Sequence, residues 1–383
     1  MQRVPVLAPD GSPLMPTKPS RARRWLRDGK AVVVYNDLNI FCIQLVAQPS
    51  GRETQDIAVG IDPGKLFSGV GVQSGSSTHF KGHLQLPFKS VKEKLSSRST
   101  LRRSRRGRRI KRNRPFKLRN HRQKRFDNRR QKKIPPSIRA NRELELRVVK
   151  ELIKIFPISH IVYEYVKAKG NKGFSPVMVA QKWMLQRLEE LRPTTTQYGW
   201  ETSIIREHLG LEKNTTDKSA ATPETHANDG VALASTHFVK YQKWQLGNSH
   251  GRNWFGTAAM TSAPFVVIAR PNIYRRQLHF EKPDSKKPNL TQYRKRKGGT
   301  VTPFGFRSGD YVRAEKAGRI YLGWVGGFTQ TVKSKNISLY DINWTRIGQF
   351  TPSKVELLQR ATGLLVGSFR LAPQFLPTLK TSG

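Results

Sequence analysis

The chain has 383 residues and carries 70 Lys and Arg against 26 Asp and Glu, a formal charge of +44. A charge that size repels itself unless a polyanion neutralises it, and nucleic acid, whose phosphates release counterions on binding, fits better than a membrane surface, since no amphipathic lipid-facing helix is present. There is no run of 18 apolar residues to span a bilayer, residues Met1 to Gly11 lack the basic-then-apolar pattern of a secretory signal, and the lone Cys42 excludes a disulfide framework or a cysteine-rich zinc ribbon.

In chain order, residues 1–50 read as a small αβ module. Val4 to Leu7 is strand-like and Pro9 to Gly11 turns the chain. Ser20 to Arg27 reads as a basic helix with Ser20 as its cap, ended by Gly29. Ala31 to Tyr35 and Ile40 to Val46 are two further strands rich in β-branched residues. Residues 56–80 read as a β-hairpin. The apolar strand Ile57 to Asp62 ends on a carboxylate, Pro63-Gly64-Lys65 turns, and Ser68 to Val72 returns as a glycine-rich strand.

Residues 98–133 hold 19 Lys or Arg and a single acid, Asp127. Arg102, Arg103, Arg105, Arg106, Arg108, Arg109 and Arg112 cover most faces of a helix that Pro115 interrupts. Free in water such a segment repels itself; between phosphates the same arginines become contacts. A disordered basic tail is the duller alternative, and its position in mid-chain argues against it. The excess charge suits a large folded RNA or an RNA–DNA assembly, with a ribosomal-type or merely solvated basic protein as the alternative.

From Asn141 to Phe156 the apolar residues recur at helical spacing, and Pro157 stops the run. His160 to Val166 is then a buried-looking strand, residues 175–191 an amphipathic helix, and Tyr198 to Arg206 a strand. Thr225 opens a last helix that runs to about Tyr241. Beyond residue 245 the chain is rich in Gly, aromatic and β-branched residues. Phe265 to Ala269 and Gln277 to Glu281 read as strands, residues 282–299 as a basic loop, and the short strands from Gly309 onward as a small antiparallel barrel.

Three carboxylates stand where carboxylates are costly. Asp62 ends an apolar strand, Glu164 interrupts Ile161-Val162-Tyr163, and Asp229 lies near the start of an apolar helix. Converging from separate elements, they would repel one another unless a divalent cation held them. Two Mg²⁺ ions, roughly 3.5–4 Å apart, would activate water and stabilise the leaving oxygen in phosphodiester cleavage. Mn²⁺ is a substitute. His226, three residues before Asp229, shares its helix face and is a candidate proton acceptor, positioner of the scissile phosphate or metal ligand. Singly each has a plainer role: Asp62 as a turn former, Glu164 as an ion-pair partner, His226 and Asp229 as helix caps. Their joint order matches the chain order of an RNase H-like nuclease.

On these residues the chain resembles IsrB, the branch of the IscB family of transposon-encoded (OMEGA) RNA-guided nucleases that lacks an HNH domain. Pro13-Leu14-Met15-Pro16 with residues 20–34 resembles that family's PLMP module. Ile61-Asp62-Pro63-Gly64 resembles the first RuvC segment and residues 98–133 the arginine-rich bridge helix. Val162-Tyr163-Glu164 resembles the second RuvC segment and Thr225-His226-Ala227-Asn228-Asp229-Gly230 the third, with Arg206 to Lys213 resembling the approach to it. Only 61 residues separate Glu164 from His226, and they hold no His-Asn-His pattern. Thr215 to Glu224 resembles a short insertion.

The resemblance implies an α/β fold: an RNase H-like (RuvC) core split in three segments, with a PLMP module, a bridge helix and a C-terminal, mostly β, small-barrel domain. The implied boundaries are 1–52 (PLMP), 53–92 (first segment), 93–133 (bridge), 134–245 (second and third segments) and 246–383 (target-adjacent-motif-interacting domain). It implies an Mg²⁺-dependent nickase that cuts the displaced DNA strand, with sequence read by a structured guide (omega) RNA beside a short flanking motif. The protein is expected to be a monomer within a cytoplasmic, nucleoid-associated ribonucleoprotein. Arg114, Arg119 and Arg122 join the bridge arginines as nucleic-acid contacts, and Lys295, Arg296 and Lys297, before Gly298-Gly299-Thr300, are the C-terminal ones. A protein-only resolvase-like nuclease and a non-catalytic RNA-guided DNA-binding protein are the alternatives. A TnpB-type nuclease is disfavoured, because one cysteine cannot build its zinc ribbon.

Overall fold

A computed structural model describes residues 2–109, 113–118, 134–167, 175–212, 223–270, 279–280, 301–331, 334–341 and 345–368. The chain divides into two compact units, Met1–Asn36 with Phe41–Phe265, and Asp37–Ile40 with Val266–Gly383.

The first unit begins with a sheet of strand order β2-β1-β4-β3, built from β1 (Val4–Leu7), β2 (Pro13–Thr17), β3 (Ala31–Tyr35) and β4 (Phe41–Leu45). Helix α1 (Pro19–Arg27) packs Ala22, with half-buried Trp25 and Leu26, against Val6, Leu14 and Ile43. Its N-cap is Lys18 and not Ser20, and no side chain caps it. Pro19 takes the first helical turn instead, where its fixed φ suits the helix and its missing N–H costs nothing. Pro13-Leu14-Met15-Pro16, read as a motif, is itself most of strand β2.

The main sheet follows. Strands β5 (Ile57–Asp62), β6 (Phe67–Ser74) and β7 (Ser77–Gln85) form an antiparallel meander, and β8 (His160–Tyr165) and β9 (Thr194–Tyr198) run parallel to β5 on its other side. Within this unit the order is β7-β6-β5-β8-β9. The parallel strands β5 and β8 read as nearly unbroken apolar runs, as covering on both faces requires. Helix α2 (Phe88–Arg109) starts earlier than the basic run that announced it, and α3 (Pro136–Ile153) starts before Asn141 and ends before Phe156. The 175–191 helix resolves into a single 3-10 turn and α4 (Gln181–Glu189).

The expected strand from Tyr198 to Arg206 is a helix, α5 (Gly199–His208). Trp200, Thr202, Ile204 and Ile205 gave a β-like composition. The buried residues, however, are Thr202, Ile205 and Arg206, a helical spacing. Glu201 accepts a 2.7 Å bond from the Tyr198 N–H and so starts the helix. The last helix, α6 (Pro223–Ser235), ends well before Tyr241. An exposed, acid-free ribbon of β10 (Lys240–Leu246) and β11 (Ser249–Phe255) follows, and Trp254 stacks on His208 of α5 at 3.8 Å.

Glycine sets how closely α6 lies on the sheet. Gly60 and Gly71 are register partners on β5 and β6. A Cβ on Gly60 would lie 2.1 Å from the Gly230 carbonyl oxygen, and one on Gly71 2.4 Å from the Val231 nitrogen. These obstacles are backbone, so the helix itself would have to lift. Gly71→Ala should cost about 3 kcal/mol, the upper end for overpacking. A urea midpoint equal to that of the parent would exclude the close approach.

On β7, buried His79 packs on the Phe156 ring, with Nε2 2.9 Å from Ser74 Oγ. Burial, aided by the charge of Arg3, pulls its pKa from 6.5 to about 4. As pH falls, the unfolded chain therefore takes up this proton first. Stability is complete above pH 6.5 and drains away as pH falls toward 4. His79→Phe should flatten that part of the urea-midpoint profile, and an unaltered slope would clear His79.

The second unit pairs β12 (Phe265–Ala269) antiparallel with β19 (Leu365–Ser368). Its larger sheet has the order β17-β16-β15-β14-β18, from β14 (Tyr311–Lys316), β15 (Arg319–Gln330), β16 (Lys335–Tyr340), β17 (Arg346–Phe350) and β18 (Val355–Gln359), with the short β13 (His279–Phe280) parallel to β15. Val312, Val325, Ile337, Leu339 and Phe350 form its core. Among the described residues β17 and β18 end the strand order, so the pairing is that of a sheet and not of a closed barrel. Of the strand expected at Gln277 to Glu281, His279 and Phe280 are described.

Candidate active site

Asp62 and Glu164 reach the same end of the main sheet. Strands β5 and β8 run parallel with Ile61 opposite Tyr163. One step on, Asp62 and Glu164 are neighbours on adjacent strands, Cα atoms about 5 Å apart by strand spacing. Side chains alternate along a strand, so Asp62 shares the face of Gly60, the face that α6 covers. Parallel register puts Glu164 on that face too. Two like charges side by side are a local cost that ordinary packing would not choose.

Glu164 also lies against the start of α5, where a Cβ on Gly199 would be 3.2 Å from its Oε1. The positive end of the helix dipole favours its charge there. Asp229, 1% exposed on α6, faces α5, and its Oδ1 accepts a 2.8 Å bond from Arg206 Nη1. Arg206 Nη2 in turn donates to Ser203 Oγ. In the sequence Arg206 stands only in the segment that resembles an approach to the third RuvC motif, and a strand over residues 198–206 would not turn it toward Asp229.

His226, in the first turn of α6, lies with its backbone directly over Gly69, the register partner of Asp62. Its ring packs on Phe67 and on His83, at 5.4 and 5.1 Å. Burial first, and the neighbouring His226 second, pull the His83 pKa down to about 3, so His83 is neutral at ordinary pH. His226 and Asp229 thus lie on the helix that roofs Asp62, with the Asp229 carboxylate turned toward α5.

The loop after Asp62 is held from the other side of the sheet by α3. Arg142 Nη2 donates to the Gly64 carbonyl oxygen at 2.7 Å, and Arg142 Nη1 donates to the Tyr163 hydroxyl at 3.0 Å and contacts Glu145 Oε2 at 2.8 Å. Glu145 accepts from Ser68 Oγ, which itself accepts from the Gly64 N–H. Asn141 Nδ2 donates to the Lys65 carbonyl oxygen. Burial works against the charge on Arg142, but Glu145, Tyr163 and Asp62 outweigh it and raise its pKa. The signal was present in the sequence, since Arg142 and Glu145 interrupt the apolar face of a helix three residues apart.

The donor set at the sheet end is all oxygen, the chemistry Mg²⁺ prefers, and Mg²⁺ ordinarily takes one or two protein carboxylates plus substrate phosphate. Asp62 and Glu164 meet that requirement. Among the described residues, however, no three His, Cys, Asp or Glu stand in a ready metal-holding group. Asp229 engages Arg206, so a three-carboxylate cage is not preformed. Buried Cys42, its thiol pushed up to about 12 by burial, offers no nucleophile.

Of the nucleic-acid candidates, Arg102 and Arg103 are exposed on α2, and Arg105, Arg106, Arg108 and Arg109 continue that helix. Arg114 lies in the exposed turn before Pro115. Arg112, Arg119, Arg122, Lys295, Arg296 and Lys297 lie outside the described residues, as does most of the insertion at Thr215 to Glu224. No helix among the described residues is long and apolar enough to cross a membrane.

Residues 4–176 match the family model described as RRXRR protein. That spelling occurs in α2 at Arg102-Arg103-Ser104-Arg105-Arg106 and again from Arg105 to Arg109. Among solved structures, Thermus thermophilus RuvC in complex with a Holliday junction substrate aligns at TM-score 0.27 and 14% identity, covering 48% of this chain and 92% of that one. A second Thermus thermophilus RuvC structure aligns at TM-score 0.24 and 13% identity, covering 47% and 92%. No curated protein matches.

Proposed function

We propose that this protein is an RNA-guided, RuvC-type DNA nickase of the HNH-lacking kind. The observation that carries the reading is Asp62 beside Glu164 at the carboxyl ends of adjacent parallel strands, on the face that α6 covers with Asp229. The strand order β7-β6-β5-β8-β9, a meander followed by two strands parallel to β5, is what an RNase H-like core requires. The RRXRR match is to a family found in IscB- and IsrB-type proteins, which supports the guide-RNA half of the reading.

In this reading Asp62 and Glu164 hold divalent cation, Mg²⁺ first and Mn²⁺ as substitute, with Asp229 as the third carboxylate. Bound there, the metal supplies a water of lowered pKa and neutralises the charge that builds on the leaving 3′ oxygen. Arg206 pairs with Asp229 and holds its carboxylate between α5 and α6. His226 stands at the same end of the sheet as acceptor for the proton of the attacking water. The arginines of α2 clamp guide and scaffold RNA by their phosphates, and base pairing reads the DNA.

The test is to express the chain with its native flanking DNA, sequence the RNA it retains, and assay a matched duplex with Mg²⁺. One discrete structured RNA and a nick in the displaced strand are expected. Cleavage that needs no RNA would make it a protein-only, resolvase-like nuclease. Guide-dependent binding without a cut would make it a non-catalytic module.

A further inference from the structure

Beside Glu164 the surface opens into a cleft of about 460 Å³ lined by Glu164, Tyr165, Val166, Lys167, Tyr198, Gly199 and Trp200. Tyr165 and Tyr198 are register partners on β8 and β9, their rings edge to face at 5.9 Å. Trp200 stands in the first turn of α5. These aromatics are uncovered: Tyr165 is 36% exposed, Tyr198 43% and Trp200 61%. The cleft is braced from beneath, since Gln181 Oε1 accepts from the Val166 N–H at 2.9 Å and Glu201 holds the Tyr198 N–H.

We infer that this cleft is a stacking shelf for an unpaired nucleobase of the DNA strand being cut, with Trp200 as its principal face and Lys167 meeting an adjacent phosphate. The inference rests on reading the Asp62–Glu164 end as a nuclease site, and it adds the requirement that the substrate enter single-stranded. A base within a duplex has both faces stacked on its neighbours, so exposed rings select the unpaired strand. Every base presents a π-face, so the selection tolerates any sequence. The cleft is within the roughly 300–1,000 Å³ common for small-ligand pockets, enough to take one nucleotide. Its single acid, Glu164, is a carboxylate the metal would neutralise, and Lys167 suits the opposite charge of the backbone. A base seated here places the neighbouring phosphate beside Glu164, which makes the shelf a positioning device that sets where the strand is cut.

The experiment uses the full chain with its co-purified RNA and single-stranded oligonucleotides carrying 2-aminopurine at successive positions, with Ca²⁺ to hold back cleavage. Wild type should quench the fluorophore at one or two adjacent positions and leave the same oligonucleotide in duplex form unquenched. Trp200→Ala should lose the quench and weaken single-strand binding on the order of tenfold. Trp200→Phe should restore most of both. In a cleavage assay Trp200→Ala should raise KM more than it lowers kcat and spread the cut over neighbouring phosphates. An unchanged quench and affinity in both Trp200→Ala and Tyr198→Ala, or equal quenching of duplex, would overturn the shelf. Trp200 is mostly exposed, so the variant should fold, and its melting curve checks this. A quench that persists while wild type cuts nothing with Mg²⁺ would instead sink the nuclease reading and leave the shelf standing.

Discussion

Asp62→Ala should abolish strand cleavage, with a loss on the order of 10³-fold or more in rate, while guide and target binding remain. In the proposed site Asp62 would hold the metal, so its removal would remove the water activation, and each factor of ten corresponds to about 1.4 kcal/mol of barrier. Asp229→Asn should add a loss of stability to the loss of activity. Arg206 is buried and gives Asp229 a 2.8 Å hydrogen bond, so neutralising Asp229 strands a cation at a cost of about 3 kcal/mol or more. Both Asp62→Ala and Asp229→Asn should be inactive. Cleavage assays beside thermal melts read both, and nicking that survives Asp62→Ala would remove the proposed site.

Where the chain obeys a single period, its sequence was a good guide. Ile57 to Asp62 and His160 to Tyr165 were legible because parallel strands covered on both faces must be apolar throughout, and a carboxylate at the end of each stands out against that background. Asp229 was legible for the same reason on a helix. Helix α5 was not. Trp200, Ile204 and Ile205 favour strands on composition, and only the Glu201 bond to the Tyr198 N–H and the burial of Thr202, Ile205 and Arg206 decide for the helix. The same β-like composition hides the partner of Asp229. The glycines of β6 form a pattern whose cause is not local: the backbone of α6 lies against Gly69 and Gly71. The ribbon β10–β11 escaped because its residues face solvent on both sides, so no burial pattern marks it. Beyond residue 309 the strand-and-turn rhythm was plain, while barrel closure depends on which edges pair, a long-range property that alternation along one strand does not encode.

The largest stability effect should come from a pair that takes no part in the chemistry. Arg142 and Glu145 are 1% and 0% exposed and contact each other at 2.8 Å. The Arg142 guanidinium also binds the Gly64 carbonyl oxygen and the Tyr163 hydroxyl, while Ser68 donates to Glu145. Glu145 has its pKa raised by burial, against the pull of Arg142 and Ser68. Take away Arg142 and that carboxylate loses its main counter-charge in a dry site. Arg142→Met should therefore cost about 3–5 kcal/mol, and Glu145→Gln should cost a comparable amount by leaving the guanidinium uncompensated. The double change Arg142→Met with Glu145→Met should recover much of the loss, since a buried ion pair replaced whole by apolar volume is often nearly neutral. Recovery will be incomplete, because the Gly64 carbonyl and Tyr163 hydroxyl still lose a donor. That residue of cost is informative: it measures how firmly α3 holds the loop that leaves Asp62, and activity should fall with it even where Asp62 and Glu164 are untouched. Urea denaturation of the four-member cycle measures the coupling, and single variants that each cost under about 1 kcal/mol would show that the network does not hold the loop.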